Sequence, residues 1–591
     1  MAIDLNSRLF DLLGFCLEKY PKPDALAAKV NQQWIKYSTA EYSSMSNNLA
    51  LGLIQLGIQP GAKIGLISNN RPEWNFADMA SMMVGAINVP IYPTISDLDL
   101  SFIIENSSIE VFFVSNKELH QKVLRCQGNN SKVKSIYTFD QYPDIPFWKS
   151  LLQDSPETNH ELDKRRSAIK ATDCATILYT SGTTGNPKGV MLSHRNLISQ
   201  VLSVRRLMPV NENHKALSFL PINHVYERML LYNYFHCGTS IYYAESIDTI
   251  GANLLEVKPQ IFTTVPRLLE KIFDRISAKG AELTGIKKWL FNWSLQLGFK
   301  YGYPEHNGFF YRLQLSIANA LVFTKWREAL GGELITTVSG GAALQDRLAR
   351  IFWASKIPVL QGYGLTETSP VIAVNYLDPG CNCFGTVGPV IDGVEVKIAE
   401  DGEILVKGDN IMLGYYNNTT ATAEVIESGW FHTGDIGEFE ANRFLKITDR
   451  KKEIFKTSGG KYISPSQIEN KLRESPFIEQ AMVIGENHKF PSALILPSFA
   501  YFNDWANKLG TQIGTPVEMV KNQQVIDKIK EVINATNSQL AHYEAIKKFE
   551  LIDTEWTIEA GELTPKLSLK RKQLLLKHKD LVDKIYGKDV L

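Results

Sequence analysis

The segment 177–196, ILYTSGTTGNPKGVMLSHRN, contains the residue types and spacing best suited to phosphate chemistry. Glycine allows backbone N–H groups to approach a phosphate closely, and hydroxyl groups add further donors. Lys188 supplies a positive charge, and Ser193 is typical of a residue that caps the N-terminus of a helix. The segment therefore predicts a phosphate-binding loop between a strand and a helix. The loop residues are Thr180, Ser181, Gly182, Thr183, Thr184 and Gly185.

A Walker A loop is the main alternative, because it also combines glycines with a phosphate-binding lysine. Its pattern, G-x-x-x-x-G-K-[ST], requires a glycine before the lysine and a serine or threonine after it. Here Pro187 precedes Lys188 and Gly189 follows it. The sequence therefore does not predict a Walker A loop.

The motif TSGTTGNPKGV resembles the phosphate-loop signature of the AMP-forming adenylating superfamily, which includes acyl- and aryl-CoA synthetases, peptide-synthetase adenylation domains and firefly luciferase. Further motifs resemble that superfamily in its expected order: SGGA at 339–342, QGYGLTE at 361–367, GWFHTGD at 429–435 and DRKKE at 449–453. The segments SFLPINHVYERM, TVPRLLEKIF and DRKKEIFKTSGGKYISP resemble long-chain fatty acyl-CoA synthetases more than acetyl or aryl members.

The resemblance implies that a long-chain fatty acid is activated in two steps. The carboxylate attacks the α-phosphate of ATP and releases pyrophosphate, and the thiol of coenzyme A then attacks the acyl adenylate. The first step brings an anion to a polyanion, so it requires charge neutralisation and in-line positioning. The implied cofactors and co-substrates are ATP, Mg²⁺ and coenzyme A.

The resemblance assigns catalytic roles at the phosphates. Lys188 and the loop would contact the β- and γ-phosphates, and Thr366 would donate to the α-phosphate. Glu367 would hold Mg²⁺, a hard cation that suits carboxylate and phosphate oxygens. His224 would border the acyl pocket and guide the carboxylate, although a lone histidine is usually a satisfied core residue.

The resemblance also assigns the nucleoside contacts. Tyr363 would stack on adenine, with a core tyrosine as the alternative. Asp435 would accept hydrogen bonds from both ribose hydroxyls, and Arg450 would contact ribose or phosphate. The other implied nucleotide contacts are Gly341, Ala342, Gln361, Gly362 and Gly364.

A domain rearrangement between the two half-reactions is implied by the same resemblance. Lys452 corresponds to the hinge, since a few terminal residues can absorb such a rotation. Lys456 matches a position that faces the site during thioester formation. The Gly459-Gly460 pair fits a close approach of the backbone to the pantetheine arm.

The catalytic lysine of the first half-reaction is less clearly placed. Long-chain members usually read T-P-T-L-K-L-K-R, which puts lysine where this chain has Ser568. Lys566 lies two residues earlier and would keep the same face of a strand, so it is the first candidate. Lys570 is the second candidate.

The sequence leaves alternatives for the residues that bind the acyl chain and for the thiol that accepts the acyl group. The segment 280–329 is rich in aromatic and leucine residues, which predicts either an alkyl-binding wall or helix packing; its aromatic residues include Trp289, Phe291, Trp293, Phe299, Phe309 and Phe310. The competing functions are an enzyme that loads a carrier-protein thiol, a luciferase-like oxygenase, and a non-catalytic binder of fatty acid or nucleotide. The chain carries no separate carrier domain, which favours free coenzyme A. Ser568 is the only support for the binder.

Positioning these residues requires alternating strands and helices. Short apolar runs such as Lys63–Ser68 and Glu110–Ser115 alternate with helical patterns such as Thr39–Leu56, which favours an α/β fold. After Phe384 shorter strands predict a β-rich subdomain. We therefore expect a large N-terminal domain of packed mixed α/β sheets over 1–449 and a small mobile α+β domain over 450–591, with the hinge near 449–452.

Composition excludes several classes of protein. The chain has 591 residues, 44% of them hydrophobic, and its 63 basic and 63 acidic residues give a formal net charge of zero, which argues against binding nucleic acid by bulk charge. Six cysteines are too few for a disulfide scaffold.

No secretory signal or spanning segment is apparent, so a cytoplasmic enzyme is predicted, with peripheral membrane contact as an alternative. A basic C-terminal helix over 566–588 would support such contact, although a solvated helix face fits it better. The sequence indicates no oligomeric state.

Overall fold

The structure, a computed structural model, describes residues 2–128, 132–154, 156–180, 186–246, 248–302, 307–557, 560–563 and 569–587. Up to Val374 its strands are β1 (Leu26–Val30), β2 (Gln33–Tyr37), β3 (Lys63–Ile67), β4 (Ile87–Ile91), β5 (Ile109–Val114), β6 (Ser135–Thr138), β7 (Cys174–Thr180), β8 (Lys188–Ser193), β9 (Lys215–Ser218), β10 (Ser240–Tyr243), β11 (Ile261–Thr264), β12 (Thr336–Ser339), β13 (Val359–Gly364) and β14 (Val371–Val374).

The helices that alternate with these strands cover their faces. They are α1 (Asp11–Lys19), α2 (Thr39–Gln55), α3 (Pro72–Met83), α4 (Asp97–Ser107), α5 (Lys117–Cys126), α6 (Pro156–Ala168), α7 (His194–Arg205), α8 (Val225–His236), α9 (Ile250–Val257), α10 (Pro266–Ala281), α11 (Gly285–Phe299), α12 (Phe309–Ala318), α13 (Thr324–Ala329) and α14 (Asp346–Ala354). A π-helical segment, Asn319–Phe323, joins α12 to α13.

The later part of the chain is richer in strands. It contains β15 (Val394–Ile398), β16 (Glu403–Gly408), β17 (Gly414–Tyr415), α15 (Thr419–Val425), β18 (Ile426–Glu427), β19 (Trp430–Glu440), β20 (Phe444–Arg450), β21 (Phe455–Lys456), β22 (Tyr462–Ile463), α16 (Pro465–Leu472), β23 (Ile478–Ile484), β24 (Ser492–Pro497), α17 (Phe499–Lys508), α18 (Pro516–Met519), α19 (Gln523–Asn537), β25 (Lys548–Leu551), α20 (Arg571–Lys577) and α21 (Lys579–Tyr586).

Two large sheets form the N-terminal part. One has the strand order β14-β13-β12-β11-β9-β10-β1-β2, and the other has the order β17-β8-β7-β4-β3-β5-β6. Most neighbouring strands in both sheets are parallel, as expected when helices connect them. The parallel strands β11, β12 and β13 bring their carboxyl ends to one edge, where the loops after β12 and β13 begin.

The β-rich subdomain and the C-terminal domain are smaller. The strands β15, β16, β19, β18 and β20 form a largely antiparallel sheet, and β23, β24 and β25 form a three-stranded sheet packed against helices. The strand β17 leaves the subdomain and pairs with β8 of the N-terminal sheet, with Tyr415 opposite Val190. The prediction of a large α/β domain, a β-rich subdomain and a small α+β domain is confirmed.

Several local predictions are also confirmed. The predicted helix over Thr39–Leu56 is α2, which begins after a capping box between Ser38 and Glu41. Ser193 caps α7, and its hydroxyl accepts from the Asn196 N–H.

The predicted basic C-terminal helix is instead two shorter helices, α20 and α21, which are separated at His578. Among the described helices, none combines the length and apolarity needed to cross a bilayer.

Candidate active site

A buried carboxylate, Asp435, forms one end of the site. It lies in β19 directly opposite Arg450 of β20. Arg450 Nε is 3.2 Å from Asp435 Oδ1, and the Tyr363 hydroxyl donates a 2.6 Å hydrogen bond to Asp435 Oδ2. The Asp435 side chain is only 4% exposed. Burial raises the pKa of Asp435, while Arg450 and Tyr363 both favour its ionised form and oppose that rise.

The strand that carries Tyr363 is shaped by its glycines. β13 pairs with β14, and the register shifts between Tyr363 and Gly364. A Cβ at Gly364 would overlap the Pro370 carbonyl, so the close approach of the two strands requires glycine. Gln361 is buried in the same strand, and its carbonyl accepts from the Asn375 N–H at 2.9 Å. The sequence therefore fixes the backbone on both sides of the tyrosine.

A tyrosine joins the two residues predicted to serve the phosphates and Mg²⁺. Lys188 Nζ lies 4.9 Å from the centroid of the Tyr415 ring, and the Tyr415 hydroxyl donates a 2.9 Å hydrogen bond to Glu367 Oε1. Glu367 and Thr366 lie in the short helical turn that follows β13, and Thr366 is buried. Burial and the charge of Glu367 raise the pKa of the Tyr415 hydroxyl.

Tyr415 was not among the residues predicted from the sequence. Its position depends on β17, a two-residue strand that pairs with β8 more than 200 residues away in the chain. A strand this short leaves no periodic pattern, and GYY carries no motif of its own. The sequence therefore gives little indication that Tyr415 belongs to the candidate site.

The structure describes the residues on either side of the predicted phosphate loop. Thr180 and Lys188 lie opposite each other at the ends of the antiparallel strands β7 and β8. Ser181, Gly182, Thr183, Thr184 and Gly185 lie outside the described residues. The segment was predicted to join a strand to a helix; the structure places β8 before α7, because Val190 and Leu192 are fully buried against the sheet.

An apolar pocket begins beside this site. Its lining includes Tyr363, Gly341 and His224, together with apolar side chains of α7, α8 and the segments after them. Gly341 has φ +83°, a conformation that favours glycine, whereas Ala342 is exposed. The apolar lining residues on the helix side are Val204, Leu207, Met208, Met229 and Leu230.

His224 is oriented by the start of α8. It is the N-cap residue of that helix, and its Nδ1 accepts from the Tyr226 N–H at 3.1 Å. A neutral imidazole that accepts at Nδ1 carries its proton on Nε2. His224 can therefore present a hydrogen-bond donor at the pocket. The Tyr226 ring packs under Gly340, where a Cβ would come within 3.2 Å of it.

Among the described residues of the aromatic segment 280–329, none lines this pocket. Phe291 is buried, Phe299 packs edge-on against Phe273 in the core, and Trp293 stacks on Trp289. Phe309 and Phe310 are largely exposed. Of the two interpretations of this segment, helix packing fits the inward-facing rings, and neither accounts for the exposed ones.

The predicted hinge and thioester residues lie together after β20. Lys452 is exposed in the turn that follows Arg450. Lys456 is exposed in β21, with Nζ 5.4 Å from the centroid of the Tyr462 ring. Gly459 and Gly460 form the exposed turn between β21 and β22, and Gly460 has φ +78°.

Of the two candidate lysines for the first half-reaction, Lys570 lies among the described residues and Lys566 does not. Lys566 and Ser568 lie outside the described residues. Lys570 precedes α20, and its N–H donates to the Glu562 carbonyl at 2.8 Å. The next residue, Arg571, binds both Glu469 oxygens at 2.7 and 2.8 Å and lies 3.3 Å from Glu453, near the hinge. Arg571 was not among the residues predicted from the sequence.

The C-terminal domain contacts the N-terminal domain through polar groups. Arg267 of α10 forms an ion pair with Glu479 of β23. Gln345 Nε2 donates to Glu270 Oε1 at 3.2 Å and to the Arg473 carbonyl at 3.3 Å. Polar contacts of this kind are typical of interfaces between domains that move relative to each other.

Tyr363 at the end of β13 lines the apolar pocket and binds the buried carboxylate of Asp435, so these groups lie at the carboxyl edge of the parallel strands β11, β12 and β13. Ligands bind at that edge in open α/β sheets. The chain belongs to the AMP-binding enzyme family, whose model matches residues 17–416, and the model of the AMP-binding enzyme C-terminal domain matches 452–590. The resemblance seen in the motifs is confirmed.

Curated relatives and solved structures agree with this assignment. The chain is 32% identical to the long-chain-fatty-acid–CoA ligase FadD15 of Mycobacterium bovis over 94% of this chain and 93% of the relative. It is also 32% identical to the long-chain-fatty-acid–CoA ligase ACSBG2 of Xenopus laevis, over 96% and 82%. The fold resembles the anthranilate CoA ligase AuaEII in complex with anthranoyl-AMP, with a TM-score of 0.71, 18% identity and coverage of 98% of this chain and 99% of that one. It also resembles O-succinylbenzoate coenzyme A synthetase (MenE) from Bacillus subtilis in complex with ATP and magnesium ion, with a TM-score of 0.69, 19% identity and coverage of 96% and 99%.

Proposed function

We propose that this protein is an AMP-forming long-chain fatty acid–CoA ligase. It activates the fatty acid with ATP to an acyl adenylate and pyrophosphate, and it then transfers the acyl group to coenzyme A. The observation that carries the proposal is the continuity of the site: the apolar pocket that starts at His224 is lined by Tyr363, whose hydroxyl binds Asp435. A fatty carboxylate at the pocket mouth would thus lie beside a bound nucleotide. The family and the names of the curated relatives support the same reaction.

The nucleoside would be held by the β13 and β19 residues. Tyr363 offers a ring face to adenine, and Gln361, Gly362, Gly364, Gly341 and Ala342 supply backbone around it. Asp435 would accept from both ribose hydroxyls, which suits a carboxylate already ordered by Arg450.

The phosphates would lie between Lys188 and Glu367. Lys188 and the loop 180–185 would neutralise the β- and γ-phosphates, and Thr366 would donate to the α-phosphate. The residues present fit Mg²⁺, because this ion typically binds one or two carboxylates and completes its shell with substrate phosphates and water. The described residues contain no cluster of three or more acidic, histidine or cysteine side chains for a metal, so Glu367 would be the protein ligand. The ion would lower the negative charge on the phosphates that the carboxylate approaches.

The C-terminal domain would complete each half-reaction in turn. Lys452 would be the hinge between residues 1–449 and 450–591. Lys566, or alternatively Lys570, would bridge the fatty carboxylate and the α-phosphate in the first step. After rotation, Lys456 and the Gly459-Gly460 turn would face the site and admit the pantetheine arm. The exposure of Lys456 and of this turn supports their availability for such a contact. We propose a cytoplasmic location with peripheral contact to membranes, which suits an amphiphilic substrate.

The experiment that tests the function measures palmitate-dependent AMP, pyrophosphate and palmitoyl-CoA with ATP and Mg²⁺, with and without coenzyme A. All three products are expected from the wild type. Adenylate without palmitoyl-CoA would indicate a carrier-protein thiol as the acceptor, and no pyrophosphate with any chain length would indicate a binder. Lys566→Ala is expected to lose about two or more orders of magnitude in adenylation, the scale of one transition-state donor. Lys570→Ala is the matched control, and the reverse result would move the role to Lys570.

A further inference from the structure

An exposed row of apolar side chains follows one side of α12 and of the π-helical segment. Phe309, Leu313, Ile317 and Leu321 are spaced four residues apart, so they lie on one helix face. Their exposed fractions are 70%, 53%, 44% and 53%, and neighbouring Phe310 is 77% exposed. We call these five residues the apolar stripe. A contiguous group of large apolar side chains in water is unusual for a monomer and marks an interaction surface.

The apolar stripe is held rigidly from beneath. The Tyr311 hydroxyl of α12 donates to the Leu297 carbonyl of α11 at 2.8 Å. Asn319 donates to the Ala354 carbonyl of α14 at 2.8 Å, and Phe323 is fully buried. The two helices therefore form a hairpin whose inner side belongs to the core while the apolar stripe faces solvent.

The charged side chains of the helices α11 and α12 have a single sign. In the described residues of α11 and α12 every charged side chain is basic: Lys287, Lys288 and Arg312, all exposed. At the start of α11, Ile286 and Trp289 are 78% and 63% exposed beside the two lysines. A rigid apolar face with basic residues and exposed tryptophan is typical of helices that lie in a membrane interface.

We propose that the apolar stripe docks this protein on the interface of a bilayer that contains anionic lipids. Phe309, Phe310 and Leu313 enter the boundary between headgroups and acyl chains, while the lysines and Arg312 contact lipid phosphates. The charge argues for this occupant over a second copy of the chain, because two copies would bring basic groups of the same sign together. The inference rests on the membrane contact proposed above and assigns it a surface; its test is separate from the acyl chemistry, because docking requires neither ATP nor fatty acid.

The C-terminal helices offer a competing surface. Leu575 and Leu576 of α20 are 38% and 72% exposed among lysines. That helix has seven residues, and its exposed apolar pair is adjacent in sequence and does not form a row. The hairpin therefore presents the larger apolar face.

The test is co-sedimentation of the full chain with phosphatidylcholine vesicles, either pure or containing about a third phosphatidylglycerol, without nucleotide. We expect the wild type to bind the anionic vesicles. Phe309→Ser/Phe310→Ser/Leu313→Ser should lower the partition coefficient about tenfold or more, because the apolar contribution to binding scales with buried area. Lys287→Gln/Lys288→Gln/Arg312→Gln should remove the preference for phosphatidylglycerol and also serves if the first variant does not fold.

Two matched variants complete the design. Leu98→Ser/Leu255→Ser/Val517→Ser removes the same number of exposed apolar side chains from other surfaces and should leave binding unchanged. Leu575→Ser/Leu576→Ser tests α20. The proposal is overturned if the wild type does not bind anionic vesicles, or if only the α20 variant loses binding. It is also overturned if light scattering shows a dimer that the apolar-stripe variant converts to monomer without any vesicle binding.

Discussion

The two ends of the proposed nucleotide site are built differently; we call the side of Asp435 the ribose end and the side of Lys188 and Glu367 the phosphate end. At the ribose end, Asp435 is almost fully buried and directly bound by both Tyr363 and Arg450. At the phosphate end, Lys188 and Glu367 are half-buried and meet through the ring and hydroxyl of Tyr415. A buried carboxylate interacts strongly with its partners because little water screens them, whereas an open site remains sensitive to salt. The ribose end is therefore preorganised, and the phosphate end stays accessible to a charged substrate.

The largest expected effect is at the ribose end. Asp435→Ala should lower kcat/KM for ATP about 100-fold or more, because each hydrogen bond to a charged group contributes roughly 1.5–3 kcal/mol and the ribose offers two. Asp392→Ala, at an exposed ion pair with Arg206, is the control and should change little. Unchanged kinetics in a folded Asp435→Ala protein would show that the nucleotide does not use this carboxylate.

A smaller and salt-dependent effect is expected at the phosphate end. Lys188→Ala should lower kcat/KM for ATP about ten- to 100-fold at low ionic strength, and the loss should shrink at high salt because exposed charges are screened. Lys397→Ala is a matched control, since Lys397 Nζ also lies over an aromatic ring, 4.1 Å from the centroid of Trp430. If the Lys188 effect were independent of salt while the Asp435 effect was not, the contrast between the two ends would be reversed.

A pair of tyrosine substitutions compares the two carboxylates directly. Tyr363→Phe removes the donor to a nearly buried carboxylate and should lower the free energy of unfolding by about 1–2 kcal/mol, measured by urea unfolding. Tyr415→Phe removes the same group from a half-buried carboxylate and should cost less than about 1 kcal/mol. Equal losses would mean that burial does not distinguish the two ends.

The smallest effect concerns pH. Burial raises the pKa of Asp435 and Arg450 opposes the rise, so Arg450→Gln should raise it further. Because ribose binding requires the ionised carboxylate, activity should be lost at a higher pH on acidification than in the wild type. Arg450→Lys keeps the charge and should shift the acid limb of kcat/KM less. An acid limb that moves to lower pH in Arg450→Gln would contradict the electrostatic role of the arginine.

The sequence predicted the ribose end better than the phosphate end. Asp435, Tyr363 and Arg450 each lie in a motif, and the structure brings all three together although Tyr363 and Asp435 are 72 residues apart. Tyr415 was missed because its place depends on a strand pairing that no local pattern announces. Arg571 was missed for a similar reason, since its partners Glu469 and Glu453 are more than 100 residues away.

The aromatic segment shows a second limit of sequence reasoning. Phenylalanine and tryptophan occur on both the buried and the exposed faces of its helices. Composition therefore does not distinguish Phe291, which lies in the core, from Phe310, which is exposed to solvent. Only the tertiary contacts of the hairpin with α14 determine which face is covered. The fold class and the family depended less on such contacts, and both predictions are confirmed.

The pairing of β17 with β8 determines which parts of the proposed site move together during the proposed reaction cycle. Tyr415 attaches the β-rich subdomain to the strand of Lys188, so both ends of the proposed nucleotide site belong to the part of the chain that precedes the proposed hinge. If Lys452 is that hinge, rotation of the C-terminal domain would replace one wall of the site and leave Asp435, Lys188 and Glu367 in place. The acyl adenylate would then stay bound while the lysine that assisted its formation leaves and the thiol arrives, which would protect a reactive intermediate from water between the two steps.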